Sequence, residues 1–411
     1  MSSCVSSYVR PQASRAKSLH KDGLPALEPE VLEYGERVLA FLREQIELAG
    51  GALDFAEFMR LALYAPNLGY YAAGMTKFGA AGDFVTAPEV SPLFARTLAR
   101  QVAEILMELD QGEVLEFGAG SGVMAVELLL ALERLHCLPI RYLILEVSAS
   151  LRAVQRERLL QAVPHLLERV VWLEAWPQDF VGVMLGNEVL DAMPVRILEV
   201  TAGEPLRVAV SDSAQGLAWA KLPASEDDLR VLAELTTARG ESFAEGYRVE
   251  FHPDLPGWMR GVAQSLKQGV VLLFDYGAAA RELYAPERWM GTLRCHLRHH
   301  AHNDPLLHPG LQDITAWVDF SRVARCAQAS GLDVLGYTMQ AHFLLGCGLA
   351  EVYEDAFAMA EREVDRLQLA QGFKTLMMPG EMGERFKVLA LGRDVGGDLA
   401  GFGMRDFRGG L

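Results

Sequence analysis

Three glycines, Gly118, Gly120 and Gly122, end an apolar run, EVLEF (113–117), and directly precede a helical pattern, VMAVELLLALERL. Glycine at such a turn leaves no Cβ between backbone and ligand, and takes the positive φ that tight turns require. The helix behind it points free N–H groups and its positive dipole end at the same spot, which suits a carboxylate or a phosphate. The turn reads as a nucleotide-like cofactor loop, with Glu116, Gly118, Ala119, Gly120 and Gly122 as candidate contacts. The alternative is a tight strand-to-helix turn with no ligand. A dinucleotide loop is spaced G-x-G-x-x-G, whereas here the third glycine comes one residue early and Val123 stands in its place. That spacing disfavours an NAD-dependent oxidoreductase.

The carboxylates come next. Glu146 ends the run RYLILE, about twenty-five residues past the glycines, where a nucleoside-binding sheet places an acid to accept from two ribose hydroxyls. Val147 follows it, beside the expected adenine. Asn187, Glu188 and Asp191 follow the apolar VGVMLG, at the carboxyl edge of a buried strand, where open α/β sheets do chemistry. Two acids in an apolar stretch need a partner or a function, and helix capping accounts for Asn187 alone. A polar loop over 78–94 holds Asp83, Thr86 and Glu89, and its length suits a lid better than an idle connection. Its alternative is an ordered surface loop capping the helix that starts at Pro92. Glu188, Asp191 and Glu89 are thus the candidate catalytic carboxylates, with Asn187, Asp83 and Thr86 on the cofactor.

These positions need a scaffold. Helical spacing over 27–48, from Asp54 to before Pro66, and from Pro92 to Leu109 predicts a helical N-terminal region, 27–110, covering the sheet domain. The sheet domain, 111–394, alternates strands and helices, with further strands at 169–175, 268–277, 332–340 and 385–392, giving about seven strands in all. Residues 197 to about 260 break that alternation and read as an inserted α+β segment walling the substrate side. Residues 1–26 and 395–411 read as flexible tails. His296, His299, His300, His302 and His308 crowd one loop-like stretch, but no compact zinc spacing emerges and no metal is expected.

Composition narrows the class. A chain of 411 residues, 51% hydrophobic and 22% charged, can bury a large core. A net charge of −16 excludes nucleic acid and anionic membrane as general partners and suits a basic peptide or protein. Cys4, Cys137, Cys295, Cys326 and Cys347 are odd in number and scattered, as free thiols in a reducing compartment are. The first 21 residues are basic and serine-rich but lack an amphipathic stripe. They read as a tail of a cytoplasmic, bacterial-like protein; the alternative is a presequence for the mitochondrial matrix.

The form E-x-G-x-G-x-G resembles motif I of class I S-adenosylmethionine methyltransferases, and a wider set of segments is similar to the MidA-like family. These are GDFVTAPEVSPLF (82–94), LEFGAGSG (115–122), LILEVS (143–148), GNEVLDAMPV (186–195), LLFDYG (272–277), HPGLQDITAWVDFS (308–321) and MGERFKVLALG (382–392), in family order. The resemblance implies an α/β fold, a Rossmann-like seven-stranded sheet, and S-adenosyl-L-methionine as cofactor. Its relatives include the mitochondrial complex I assembly arginine methyltransferase, so it also implies a protein acceptor, by extension a respiratory-complex subunit. The departure from the mitochondrial pattern is Ser121, where an arginine is typical. A competing expectation is an assembly factor that holds the cofactor without catalysis.

Overall fold

The computed structural model describes residues 24–72, 86–396 and 398–411. Its central sheet contains β1 (Glu113–Phe117), β2 (Tyr142–Leu145), β3 (Val170–Leu173), β4 (Phe180–Asn187), β5 (Leu266–Ala278), β6 (Asp333–Met339) and β7 (Phe386–Arg393). The hydrogen-bonded order is 3-2-1-4-5-7-6, with the two-residue strand Val318–Asp319 joining the end of β5. β7 runs antiparallel to β5 and β6; β1 to β5 pair in parallel. On β5, Val270, Leu272 and Phe274 enter one core and Val271 and Leu273 the other. Burial on both faces is why these strands read as continuous apolar runs. Gly182 lets β4 close on β1, because a Cβ there would meet Glu113 O at 1.9 Å. From β1 the chain goes to β2 on one side and β4 lies on the other, so a crevice opens between the carboxyl ends of β1 and β4.

The helices are α1 (Pro29–Leu48), α2 (Phe55–Tyr64), α3 (Ala87–Val90), α4 (Pro92–Glu108), α5 (Val123–Arg134) and α6 (Ala149–Ala162). α4 and α5 cover one face of the central sheet through Leu98, Val102, Leu128 and Leu129. α1 and α2 belong elsewhere. Strand Leu53–Asp54 pairs with Leu206–Ser213 of the insertion, whose further strands Arg196–Glu199, Gly216–Pro223 and Arg248–Phe251 complete a second, antiparallel sheet. Val38, Phe55, Phe58 and Met59 bury themselves against Ile197, Val208 and Val210. The N-terminal helices are therefore stitched to the insertion. The insertion's second sheet ends at Phe251, earlier than the expected 260, and the helix Leu255–Ser265 already packs on the central sheet.

Two expectations fail for identifiable reasons. The histidine stretch is not a loop: Arg294–Leu297, His300–His302 and Asp313–Thr315 form a three-stranded antiparallel sheet. Its hairpin turns at Arg298 and His299, both at positive φ, without the Asn-Gly that signals such turns. Among the described residues no cluster of three potential metal ligands exists. The C-terminal segment is not loose either. Phe402 lies against Gly336, where a Cβ would stand 2.4 Å from its ring, and makes an edge contact with Phe343 at 5.4 Å. Gly401 N donates to Gln101 Oε1 at 2.8 Å and Phe407 N to Tyr337 O at 2.6 Å. Gly336 and Gly401, where a Cβ would stand 2.3 Å from the Phe343 ring, open this socket, and composition alone conceals it. Phe402→Ala is expected to lower stability by about 3–5 kcal/mol, read by urea unfolding; a change under about 0.5 kcal/mol is what a loose tail gives.

The expected tail over 1–26 falls outside the described residues up to 23, while Leu24 is buried with Leu297 and Leu311. Of the expected lid loop, residues 78–85, including Asp83, lie outside the described residues; 86 onward enters α3 and α4.

Candidate active site

The glycine turn has the predicted geometry. Gly118, Gly120 and Gly122 adopt φ of 60°, 52° and 82°, and Gly122 starts α5 in the left-handed conformation. Gly118 N donates to Leu145 O at 3.0 Å, which ties the turn to the end of β2. Ala119 points its methyl into the core, leaving its backbone for the crevice. Glu116 is 2% exposed and accepts from Tyr142 Oη at 2.6 Å. Burial pushes its carboxyl up to about 7, and Glu146 adds to the rise.

Glu146 stands across from the turn. Its Oε1 accepts from Ser148 N at 2.9 Å and its Oε2 from Gln155 Nε2 at 3.1 Å. Burial raises its pKa, and these two bonds oppose the rise. Val147 is 83% exposed, an apolar surface free to lie along a flat ring. Gln155 escaped the sequence reading. It is one polar residue among many on α6, and only the fold shows it fully buried.

The acidic edge is built at the end of β4. Glu188 takes φ of +53°, a conformation that costs a non-glycine residue roughly 1–2 kcal/mol. It is held there by Glu188 N donating to Phe274 O at 2.8 Å and by Asp275 Oδ2, which accepts from Val189 N, Leu190 N and Asp191 N at 3.2, 2.8 and 3.3 Å. Glu188 Oε1 accepts from Asn187 Nδ2 at 3.0 Å and Ala87 N at 3.3 Å, and the Tyr276 hydroxyl donates to the same carboxylate. Burial and then Asp191 push Glu188 up to about 8. Asp191 is raised well above its usual range by burial, then by Asp275 and Asp313. Burial likewise pushes Asp275 up to about 8. Asn187 Oδ1 and Asp191 Oδ1 are buried without a hydrogen-bond partner among the described residues.

The rest of this wall comes from far away in sequence. Asp313, on the histidine-rich sheet, accepts from Tyr71 Oη at 2.9 Å. Tyr71 stacks on Tyr64 at 5.4 Å, and Tyr64 Oη donates to Ala192 O at 2.9 Å. No motif marks Tyr64 or Tyr71, and Asp275 showed only as the end of a strand. α3 bridges the two halves of the site. Thr86 precedes it as N-cap, Ala87 N reaches Glu188, and Glu89 accepts from Ser121 Oγ in the glycine turn. Arg158 Nη1 donates to Ser121 Oγ at 2.8 Å and lies 3.7 Å from Glu89. Glu89, a candidate catalytic carboxylate on the expected lid, therefore faces the glycine turn and a cation.

The donors present fit S-adenosylmethionine: a positive-φ turn for its amino-acid end, a carboxylate with free lone pairs for a ribose diol, an exposed valine beside it, and the orphaned Asn187 Oδ1 at the crevice. A family model for S-adenosyl-L-methionine-dependent methyltransferases, Methyltransf_28, matches residues 97–338. The chain is similar to a crystal structure of a Burkholderia thailandensis protein bound to S-adenosyl-homocysteine. Identity is 42%, the TM-score is 0.88, and 94% of this chain and 100% of that one are covered. It is 28% identical to the mitochondrial protein arginine methyltransferase NDUFAF7 homolog of Drosophila melanogaster, over 92% of each chain. It is also 28% identical to the human NDUFAF7, over 83% of this chain and 80% of the relative. Motifs, sheet order and relatives agree that this chain belongs to the MidA-like family of S-adenosylmethionine-dependent methyltransferases.

Proposed function

We propose that this methyltransferase modifies an arginine side chain of a protein, gripped at the acidic edge by Glu188 with Asp191. The observation that carries the reading is the acid cluster itself. Glu188, Asp191 and Asp275 are each raised by burial and by one another, an arrangement that a guanidinium relieves. Guanidinium stays protonated in water and presents a planar fork that carboxylates match. The Tyr64–Tyr71 pair and Asp313 extend that wall and support a flat cationic group over an aliphatic one.

The residues divide the work. Bound S-adenosylmethionine supplies an electrophilic methyl carried on a sulfonium. Gly118 to Gly122 hold its amino-acid end, Glu146 the ribose and Val147 the adenine. Asn187 lies between that end and the acceptor. Glu188, with affinity for protons lifted to about 8, suits removal of the proton that the acceptor nitrogen gives up. In-line methyl transfer otherwise asks the protein for alignment and exclusion of water.

The relatives named as mitochondrial protein arginine methyltransferases support a protein acceptor and, by extension, a respiratory-complex subunit. Identity of 42% to the bacterial structure supports a bacterial-like setting, while the relatives named as mitochondrial support the matrix as its alternative. No helix among the described residues is long and apolar enough to cross a membrane. The test is incubation of the purified chain with methyl-labelled S-adenosylmethionine and a lysate lacking the endogenous gene, followed by total hydrolysis. Label in methylarginine is expected. Label in another amino acid sinks the acceptor reading, and no label under any condition favours the assembly factor.

A further inference from the structure

Gln155 has no exposed surface and its amide is engaged on both ends. Nε2 donates to Gly120 O at 3.0 Å and to Glu146 Oε2 at 3.1 Å; Oε1 accepts from Trp172 Nε1 at 3.0 Å. The glycine turn, the end of β2 and β3 thus meet on one side chain. Packing fixes it in place, since a Cβ on Gly122 would come within 3.2 Å of Gln155 Cα.

We infer that Gln155 is the positioning residue that keeps Glu146 ionised and aligned for both ribose hydroxyls, and so sets the pH range over which this chain holds the adenosine half of its methyl donor. The inference rests on the reading of Glu146 as the ribose acceptor. Ser148 N donates to Oε1 of Glu146 and Gln155 Nε2 to Oε2, and the Val147 N–H also favours the charged form. Gln155 is thus the side-chain donor that fixes Oε2, while the ionised carboxylate keeps acceptor capacity for the diol. A protonated carboxyl offers the diol one good acceptor instead of two. Burial drives Glu146 toward that neutral form, and the bonds from Ser148 and Gln155 drive it back.

The other charged or titratable groups facing Glu146 are Arg152 on α6, which favours its ionised form, Glu116 on β1, which opposes it, and Tyr64 on α2, kept neutral by burial. Arg152 also reaches Glu174 at 3.4 Å, so its charge is shared. Loss of the Gln155 donor therefore lets Glu146 take up a proton at higher pH. Affinity for the adenosine half then falls away at higher pH than in the wild type as the solution is acidified.

Calorimetric titration of the full chain with S-adenosyl-homocysteine, between about pH 5.5 and 9, tests this with three variants. Gln155→Met is expected to bind about tenfold more weakly near neutrality, with the deficit narrowing as pH rises. Gln155→Glu keeps the shape and the acceptor for Trp172 Nε1 but sets a second carboxylate against Glu146. Its binding is expected to be weakest at high pH and to recover on acidification, when the pair shares a proton. This opposite slope keeps the test decisive where Gln155→Met folds poorly. A Gln155→Met deficit equal at every pH, or none at all, overturns the inference, as does a Gln155→Glu profile parallel to wild type. Glu146→Gln separates the two layers. Unchanged affinity in that variant removes the ribose reading itself; a loss there, with wild-type pH profiles in both Gln155 variants, removes only the role of Gln155.

Discussion

Glu188→Gln is expected to lower kcat/KM for methyl transfer by about a hundredfold or more while S-adenosyl-homocysteine binds as in the wild type. The change keeps the shape and removes the charge. The Ala87 N–H that now meets Glu188 Oε1 can still find an amide oxygen, so the site should remain assembled. What disappears is the grip on a cationic acceptor and the sink for its proton. The pH dependence carries a sign. A carboxyl raised to about 8 is largely protonated at neutral pH in the free enzyme, so wild-type kcat/KM should climb as pH rises through about 8. Asp275, also pushed up to about 8, shares that window, but it is turned toward the backbone of Val189, Leu190 and Asp191. Steady-state rates and calorimetry on the same preparation check both claims. Equal losses of activity and cofactor affinity would assign Glu188 to binding the donor instead.

Asp228→Ala should lower stability as much as Phe402→Ala does, by about 3–5 kcal/mol in urea unfolding. Asp228 is wholly buried. It accepts from Arg196 Nη1 at 2.9 Å, Arg207 Nε at 3.0 Å and both Ser225 N and Ser225 Oγ at 2.8 Å. The Ser225 N bond pairs with Asp228 N donating to Ser225 Oγ at 3.2 Å as the reciprocal cap of the helix Glu226–Arg239. Removing Asp228 leaves two half-buried guanidinium groups with Asp54 as their shared remaining carboxylate and uncaps a helix at once. Arg196 also holds Asp54 at 2.8 Å, so strand Leu53–Asp54 loosens with it. The neighbouring residue is a ready control. Asp227 pairs with Arg230 on the exposed face of the same helix, and Asp227→Ala should shift stability by less than about 0.5 kcal/mol.

Much of the sheet was legible because parallel strands buried on both faces announce themselves as apolar runs. The glycine turn, Glu146 and the edge at Asn187 were legible for a related reason, since each ends such a run. What stayed hidden depends on three-dimensional neighbours. Gln155 looks like any polar residue of α6 until β3 and the glycine turn close on it. Tyr64, Tyr71 and Asp313 reach the acid edge from an N-terminal helix and a histidine-rich hairpin, and no periodicity connects those segments to β4. Glu89 was legible as a lid acid, but not the direction it faces, because Arg158 draws it to the glycine turn. Local pattern also misread the C-terminal segment, where Gly336 makes room for Phe402 and Gly401 makes room for Phe343.

The pairing of Leu53 with Val210 and of Asp54 with Ala209 has a consequence for how the chain comes off the ribosome. α2 closes at Tyr64, yet the cluster that buries Phe55 and Phe58 is complete only when Cys295, Ile314 and Ala316 have joined it. Roughly 250 residues separate the two events, about 13–50 s at ordinary rates of synthesis. Throughout that interval the earliest helices have apolar stripes that are only partly covered, while the segments of the central sheet emerge behind them. Contacts of such long sequence separation make for slow folding. The nascent chain is thus most vulnerable to aggregation at its N-terminal end, well before the catalytic sheet is finished.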